Sequence, residues 1–379
     1  MPGLNLSRLW RNLSVVVFLA LGGCSSVSYY DQLATGQLHL LAAREPVEDV
    51  IADPTRDPTL RQRLAQAQLA REFASRQLHL PDNQSYRLYA DIKRPYVVWN
   101  VFATQEFSLD PVTRCFPIAG CVAYRGYYSV GGARGAAALE RQAGKDVYIG
   151  GVEAYSTLGW FNDPILSSML GWGDERLAAL IFHELAHQRF YVKDDTEFNE
   201  SYARFVEEEG ERQWRAARGL APQSDKQSEQ IEVLTRLVIA TRERLRLLYQ
   251  EPLSAELMRQ RKAAEFDRLR GEYRRLRDER WPGDKRYDAW LNSPLNNAKL
   301  LPFGLYTQWV PAFEVLFKKV NGDWPTFYAE VERLGALPMA ERRVQLQQLV
   351  GLAKTCGTTG VALHLARERA GTGGTLCGG

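Results

Sequence analysis

The chain has little of several features that would assign it to a functional class at once. Only five of its 379 residues are histidines and five are cysteines, so two histidines at a chemically useful spacing are informative. Lysine and arginine number 48 against 45 aspartates and glutamates. The basic residues form no stripe, which gives no footprint for nucleic acid. A composition that is 45% apolar and 25% charged excludes a disordered chain or a collagen.

Long apolar runs are also absent from the sequence. A short apolar run lies near the N-terminus. Residues 13–21 (LSVVVFLAL) follow Arg8 and Arg11, with no acidic residue among them. The run is too short to span a bilayer as a mature helix. The pattern predicts a secretion signal over residues 1–24, and no other segment is long and apolar enough to cross a membrane.

The end of this signal is similar to a bacterial lipobox. Gly22 and Gly23 precede Cys24, which would become the lipidated first residue of the mature protein. Ser25 follows where an aspartate would favour retention at the inner membrane, so the pattern fits a lipid-anchored protein of the outer membrane, facing the periplasm. The alternative is a plain cleaved signal with an incidental cysteine.

Four cysteines remain after Cys24, and secretion would permit disulfides. Cys115 and Cys121 enclose five residues, a short loop that a disulfide could close. Cys356 and Cys377 lie near the C-terminus and could pair with each other. Three connectivities are open, as are four free thiols. No spacing is typical of a zinc knuckle.

The pattern along the mature chain predicts an α+β fold that is mostly helical. Its predicted parts are an N-terminal helical segment (25–85, broken at 53–58), a strand-rich region with the histidine-bearing helices (86–225), a helical hairpin (226–280), C-terminal helices (281–355) and a Gly/Thr-rich tail (356–379). The strands are expected in YRLYADI, YVVWNVFA, CVAYRGYYSV and DVYIGGV. The charges of the hairpin form either a solvated face or a surface for a protein partner.

The informative segment is an apolar helix that contains three polar side chains. Asp174 is expected to cap it, and LAALIFHELAHQRFYV follows. His183 and His187, four residues apart, project from one face and can bind one metal ion. Glu184 stands beside them to take a proton from a bound water. The alternative is a pair of buried histidines with Glu184 in an ion pair, which costs several kcal/mol unless the groups are compensated.

A zinc site of this kind needs a third protein ligand and an open position. No third histidine follows at the metzincin spacing, since the next is His364, so a carboxylate is expected. Asp194 and Glu197 fit a capping box that starts the next helix. Glu200 on that helix is the first choice of ligand and Glu197 the second. Glu207 either orients a ligand or lies on the surface.

HELAHQRF followed by NESYA resembles the pattern of the gluzincins, and of M1-type aminopeptidases in particular. With the lipobox and the strings AYSTLGWFNDPILSSML and VPAFE, the chain resembles the family of bacterial zinc aminopeptidase lipoproteins. The resemblance implies gluzincin-like metal helices and one zinc ion, held by His183, His187 and Glu200. It also implies that Glu184 is the general base.

The chain departs from the M1 pattern in two ways. Twelve residues separate His187 from Glu200, which is shorter than the M1 spacing, and the amine-binding G-x-M-E-N motif is absent. Glu153, in the faintly similar GGVEA, either binds a substrate amine or is an exposed strand residue. Tyr155 and Gly159 either form a strand at the cleft edge, which pairs with the substrate, or belong to a packed aromatic strand.

The resemblance further implies a tyrosine that donates a hydrogen bond to the transition state. Tyr306, just before VPAFE, is the first choice, and Tyr287 is the other candidate. Either one could instead be a core tyrosine.

These observations favour a zinc peptidase of the bacterial envelope, most specifically an aminopeptidase that acts on peptides with free N-termini. Two alternatives stay open. One is a non-catalytic scaffold lipoprotein with a structural metal site and a partner at the hairpin. The other is an endopeptidase that degrades misfolded envelope proteins.

Overall fold

A computed structural model describes residues 27–116, 120–154, 157, 160–171, 173–222, 225–305 and 308–352. Six residues singled out by the sequence lie outside this part of the chain: Cys24, Tyr155, Gly159, Tyr306, Cys356 and Cys377. Among the described helices, none combines the length and the apolar character that a membrane span requires.

The N-terminal segment is helical, as predicted. It contains α1 (residues 27–42), α2 (Val47–Ala52) and α3 (Pro58–Arg76). The expected break at 53–58 separates the last two helices. Asp57 begins α3 by accepting a hydrogen bond of 2.8 Å from the backbone N–H of Leu60, and Pro58 occupies the first helical position, where no N–H is needed.

The described residues contain eight short strands. They are β1 (Arg44–Pro46), β2 (Leu88–Ala90), β3 (Val98–Thr104), β4 (Arg114–Phe116), β5 (Gly120–Val122), β6 (Tyr124–Tyr127), β7 (Asp146–Val152) and β8 (Ile165–Leu166). Five of them overlap the four predicted segments, whereas the strands at 44–46, 114–116 and 165–166 were not predicted. Strands β6, β3 and β7 form an antiparallel sheet, β1, β2 and β8 a mixed one, and β4 and β5 a hairpin. The described residues of AYSTLGWF form no strand.

A helix that the sequence analysis did not predict, α4 (Val130–Gln142), connects β6 to β7. Ser129 caps it with a hydrogen bond of 3.0 Å from Gly132 N. Its alanines at 133 and 137 are fully buried on the sheet, where small side chains let helix and strands approach closely.

The two helices of the histidine segment are α5 (Asp174–Arg189) and α6 (Thr196–Ala217). The predicted caps were wrong at both starts. Gly173 is the N-cap of α5, and Asp174 is the first helical residue. Asp195 rather than Asp194 caps α6, accepting from Phe198 N at 3.2 Å, because Asp194 has a left-handed backbone (φ 65°) that points its carboxylate elsewhere.

The predicted hairpin consists of α7 (Asp225–Leu248) and α8 (Ala255–Arg280). Apolar residues of both helices, Val238 and Leu269 among them, are fully buried between them. Lys262 of α8 fixes the hairpin to the sheet through a 2.6 Å ion pair with Asp146 of β7. The hairpin is therefore anchored to the rest of the molecule by a polar contact.

The C-terminal part adds short helices. They are α9 (Asp288–Asn292), α10 (Asn297–Leu300), α11 (Pro302–Leu305), α12 (Val310–Lys319), α13 (Trp324–Gly335) and α14 (residues 339–352). A 3-10 turn (Ser167–Gly171) lies earlier in the chain, just before α5. The main core lies where α12 and α13 pack on α3, α5 and α6, with Phe182, Tyr202 and Phe313 fully buried. The fold is the predicted mostly helical α+β arrangement.

Candidate metal centre

Most of the surface of helix α5 is buried, and its polar side chains Glu184 and His187 are buried with it. Glu184 is 7% exposed and His187 is 8% exposed, because apolar neighbours pack the helix against α3 and α6. His183 and His187 are one turn apart, with their Nε2 atoms 3.2 Å from each other. The helical spacing alone brings the two imidazoles together.

Helix α6 supplies the third group. Glu200 Oε2 lies 3.5 Å from His183 Nε2 and 3.8 Å from His187 Nε2. The turn before α6 makes this possible, since the Asn199 side chain holds both the N–H and the C=O of Val192, at 2.8 and 2.7 Å. That clamp closes the connection between the helices and directs Glu200 back to α5.

The three donor atoms have the separation that zinc requires. Bonds of about 2.0–2.1 Å in a tetrahedral site place neighbouring ligand atoms about 3.3 Å apart. The observed separations of 3.2, 3.5 and 3.8 Å are close to that value. Among the described residues, these three form the group of His, Cys, Asp or Glu side chains able to hold a metal ion. The donor set fits zinc.

The pKa values of these groups show a site that attracts a cation. Burial lowers the pKa of His183, but hydrogen bonds with Glu200 and Glu207 outweigh it and raise the pKa to about 10. Burial lowers the pKa of His187 to about 4. Burial raises the pKa of Glu200, yet the nearby histidines bring it below its usual value. The carboxylates of Glu200 and Glu207 thus favour a positive charge on His183.

Glu207, two turns after Glu200 on α6, holds His183 from the far side. Its Oε2 lies 3.0 Å from His183 Nδ1, so that Nδ1–H donates and Nε2 is free to bind a metal. The interpretation of Glu207 as a surface residue is wrong, since it is 3% exposed. Arg204 at 2.9 Å and Arg176 compensate its charge, and these partners bring its pKa well below the usual range.

Among the described residues, no carboxylate holds the His187 ring as Glu207 holds the ring of His183. The buried Nδ1 of His187 has no hydrogen-bond partner among the described residues, and the ring of Tyr191 lies 6.4 Å from the ring of His187, edge to face. Packing and the contacts of Nε2 therefore fix its orientation.

Sequence reasoning missed Tyr124, a half-buried residue of strand β6 that is close enough to Glu200 and Glu184 to interact with them electrostatically. Burial and the charges of Glu200 and Glu184 raise its pKa, so its hydroxyl stays protonated. The ring packs on Phe102 at 5.5 Å between centroids, and the hydroxyl makes no hydrogen bond with another described residue. Tyrosine in an aromatic strand gives no local signal of such a role, because the contact joins distant parts of the chain.

Comparison with known proteins gives the family of the chain. The family model described as "Putative aminopeptidase" matches residues 28–346. The chain belongs to this family. No curated protein matches the chain, and no solved structure matches it either. Membership of the aminopeptidase family supports hydrolysis of peptide bonds as the general activity.

The other candidate site residues that the sequence suggested lie outside the group of His183, His187 and Glu200. Glu153 follows β7 and lines a cavity of about 240 Å³ with Arg176 and Leu180 of α5. We call α5, which carries the two histidines, the metal helix. Glu197 points away from the histidines and pairs with Arg343 at 3.2 Å. Tyr287 belongs to the apolar cluster of the hairpin.

Cys115 and Cys121 are joined by a disulfide across the β4–β5 hairpin. Beyond the bond, the backbone N–H of Cys121 donates to Asp194 Oδ1 at 2.8 Å. The β4–β5 hairpin is thus fixed to the connection between α5 and α6. The attachment point, Cys121, is three residues before Tyr124.

Glu207→Gln is expected to weaken zinc binding by about 10- to 100-fold, because the charge that orients His183 is lost. Competition with a chromogenic chelator measures this affinity. Glu208→Gln is the matched control, since Glu208 also contacts Arg204, at 2.7 Å, but does not touch a histidine. Equal zinc affinities of the two variants would contradict the positioning role of Glu207.

Proposed function

We propose that this member of the aminopeptidase family is a zinc-dependent peptidase of gluzincin type that acts on free N-termini. The observation that carries the proposal is the convergence of His183, His187 and Glu200 at zinc-like separations, with Glu184 on the same buried helix. A structural site would not need the additional carboxylate.

His183, His187 and Glu200 would hold the ion. When bound, zinc supplies a water of lowered pKa and a Lewis-acid contact for a carbonyl oxygen. Glu184 would then do the proton transfers of the reaction. Burial raises its pKa to about 7, so the carboxylate can accept a proton as water attacks the scissile carbonyl and return it to the leaving amine.

Tyr124 would donate a hydrogen bond to the oxygen that becomes negative during this attack. The support is its half-buried position in the sheet and its electrostatic interaction with Glu184 and Glu200, which raises its pKa. A donor placed in advance in a water-poor site stabilises such an oxyanion more than water does. The sequence-based candidate Tyr306 lies outside the described residues.

Recognition of a free amine would fall to an acidic group near the metal helix. Glu153 is our candidate, since it lines the cavity that also borders Leu180 of α5. Lipidation at Cys24 would place the enzyme on the envelope membrane, in the outer membrane facing the periplasm. This localisation is supported by the lipobox pattern of residues 22–25 alone.

Glu184→Gln is expected to keep about one zinc per chain and to lose hydrolysis by 10²-fold or more, because the amide cannot accept the proton. Metal analysis and assays with free-amine and N-acetylated peptides measure both properties. Cleavage of the free-amine peptides alone is expected. A full rate in Glu184→Gln would contradict the mechanism, and equal cleavage of blocked peptides would indicate an endopeptidase.

Tyr124→Phe is expected to lower kcat about 10²- to 10³-fold, with little change in KM and in zinc content, because one oxyanion donor is lost. Tyr148→Phe is a matched control. Both tyrosines flank Phe102 in the same sheet, but the Tyr148 hydroxyl interacts with Trp290 instead of the carboxylates. A similar loss in both variants would assign the effect to sheet packing.

A further inference from the structure

Two adjacent aromatic side chains are exposed next to the metal helix. Trp160 is 69% exposed and Phe161 is 45% exposed. The proposed mechanism, with its metal ligands and general base, gives this aromatic pair no role. Large apolar side chains in water mark places where another molecule binds when they are held in a fixed position.

The backbone around the pair is fixed by a tight turn. Trp160 N donates to the carbonyl of Thr157 at 3.1 Å. The Thr157 hydroxyl oxygen accepts from Phe161 N, also at 3.1 Å. These hydrogen bonds hold the backbone of both aromatic residues to Thr157, which lowers the entropy cost of binding.

A buried carboxylate ties this turn to the metal helix. Asp163, which is 4% exposed, accepts from the hydroxyl of Thr157 at 2.7 Å and from its N–H at 3.0 Å. Gln188 of α5 donates to the same carboxylate at 3.3 Å. Because Gln188 is four residues after Glu184, the two side chains share one face of α5.

Asp163, which holds the turn, therefore lies beside the face of α5 that carries Glu184. Gln188 is itself held from behind, by Asn83 Nδ2 at 2.8 Å and by the Ser85 hydroxyl at 3.2 Å. Asp163 also acts on Glu184 electrostatically. The position of the aromatic pair relative to the general base is thus set by a continuous set of hydrogen bonds.

We propose that Trp160 and Phe161 form the apolar wall of a substrate side-chain subsite, so that the enzyme prefers peptides with a large apolar or aromatic residue next to the scissile bond. This inference rests on the proposed peptidase function. The carboxylates of Asp163, Glu184 and Glu200 make the same region unfavourable for acidic side chains, because like charges repel in a water-poor site.

The test compares peptides that differ only by Phe, Ala or Asp at a position beside the scissile bond. Wild type is expected to favour Phe over Ala by about 10-fold or more in kcat/KM, which is within the range of apolar pockets, and to cleave the Asp peptides least. In the Trp160→Ala and Phe161→Ala double variant the Phe preference is expected to disappear, so that the Phe and Ala peptides have similar kcat/KM values.

Tyr30→Ala is the control, since Tyr30 is an exposed aromatic residue of α1, 48% exposed. It should leave the preference unchanged. A Phe preference retained in the double variant would overturn the proposal. So would a loss of vesicle binding in the double variant without a change in preference, because the pair would then be a membrane contact.

A second measurement separates this proposal from the peptidase function itself. Calorimetry with the Glu184→Gln variant measures binding of the Phe and Ala peptides without turnover. Tighter binding of the Phe peptide, abolished by the aromatic substitutions, supports the subsite even if no peptide is cleaved. Equal binding with and without the aromatic pair would overturn it, whereas absent cleavage by wild type would contradict the proposed function alone.

Discussion

The structure depends on the contact between two histidines of α5 and one glutamate of α6 in a place nearly closed to water. Burial of several ionisable groups is costly unless each has a partner. Glu200 faces both Nε2 atoms, and Glu207 is paired with His183 and two arginines, whereas Nδ1 of His187 has no hydrogen-bond partner among the described residues. A bound cation would compensate the remaining negative charge, and the separations of the donor atoms fit a zinc ion.

The neighbouring elements can be understood from this constraint. The Asn199 clamp sets the angle between the two helices, and the Asp163–Gln188 contact fixes the wall beside Glu184. The β4–β5 hairpin is attached to the same connection through Asp194. Rigid supports of this kind hold reacting groups in place, which is what positioning contributes to catalysis.

The metal helix could be predicted from the sequence because its information is local. A spacing of four residues places His183 and His187 on one face of any helix, and a short connection brings Glu200 near them. The strand segments and the hairpin were predicted from equally local periodicity. The capping residue of α6 was misassigned by one position, since Asp194 and Asp195 are chemically equal and only the backbone conformation distinguishes them.

What the sequence could not predict depends on contacts between distant segments. Tyr124 belongs to a strand some 60 positions before His183, and nothing in its neighbourhood marks it among many aromatic residues. Helix α4 was missed because three glycines near its start lower its helix propensity. The burial of Glu207 in an acidic run depends on Arg176, which belongs to another helix.

The central claim is that His183, His187 and Glu200 bind one zinc ion. The most direct measurement is the zinc content of the purified chain beside Glu200→Ala and Glu197→Ala, two glutamates of the same helix, of which only the first faces the histidines. The account predicts about one zinc per chain in wild type and Glu197→Ala, and loss of zinc in Glu200→Ala. Full zinc in Glu200→Ala, or none in wild type after reconstitution, would contradict it.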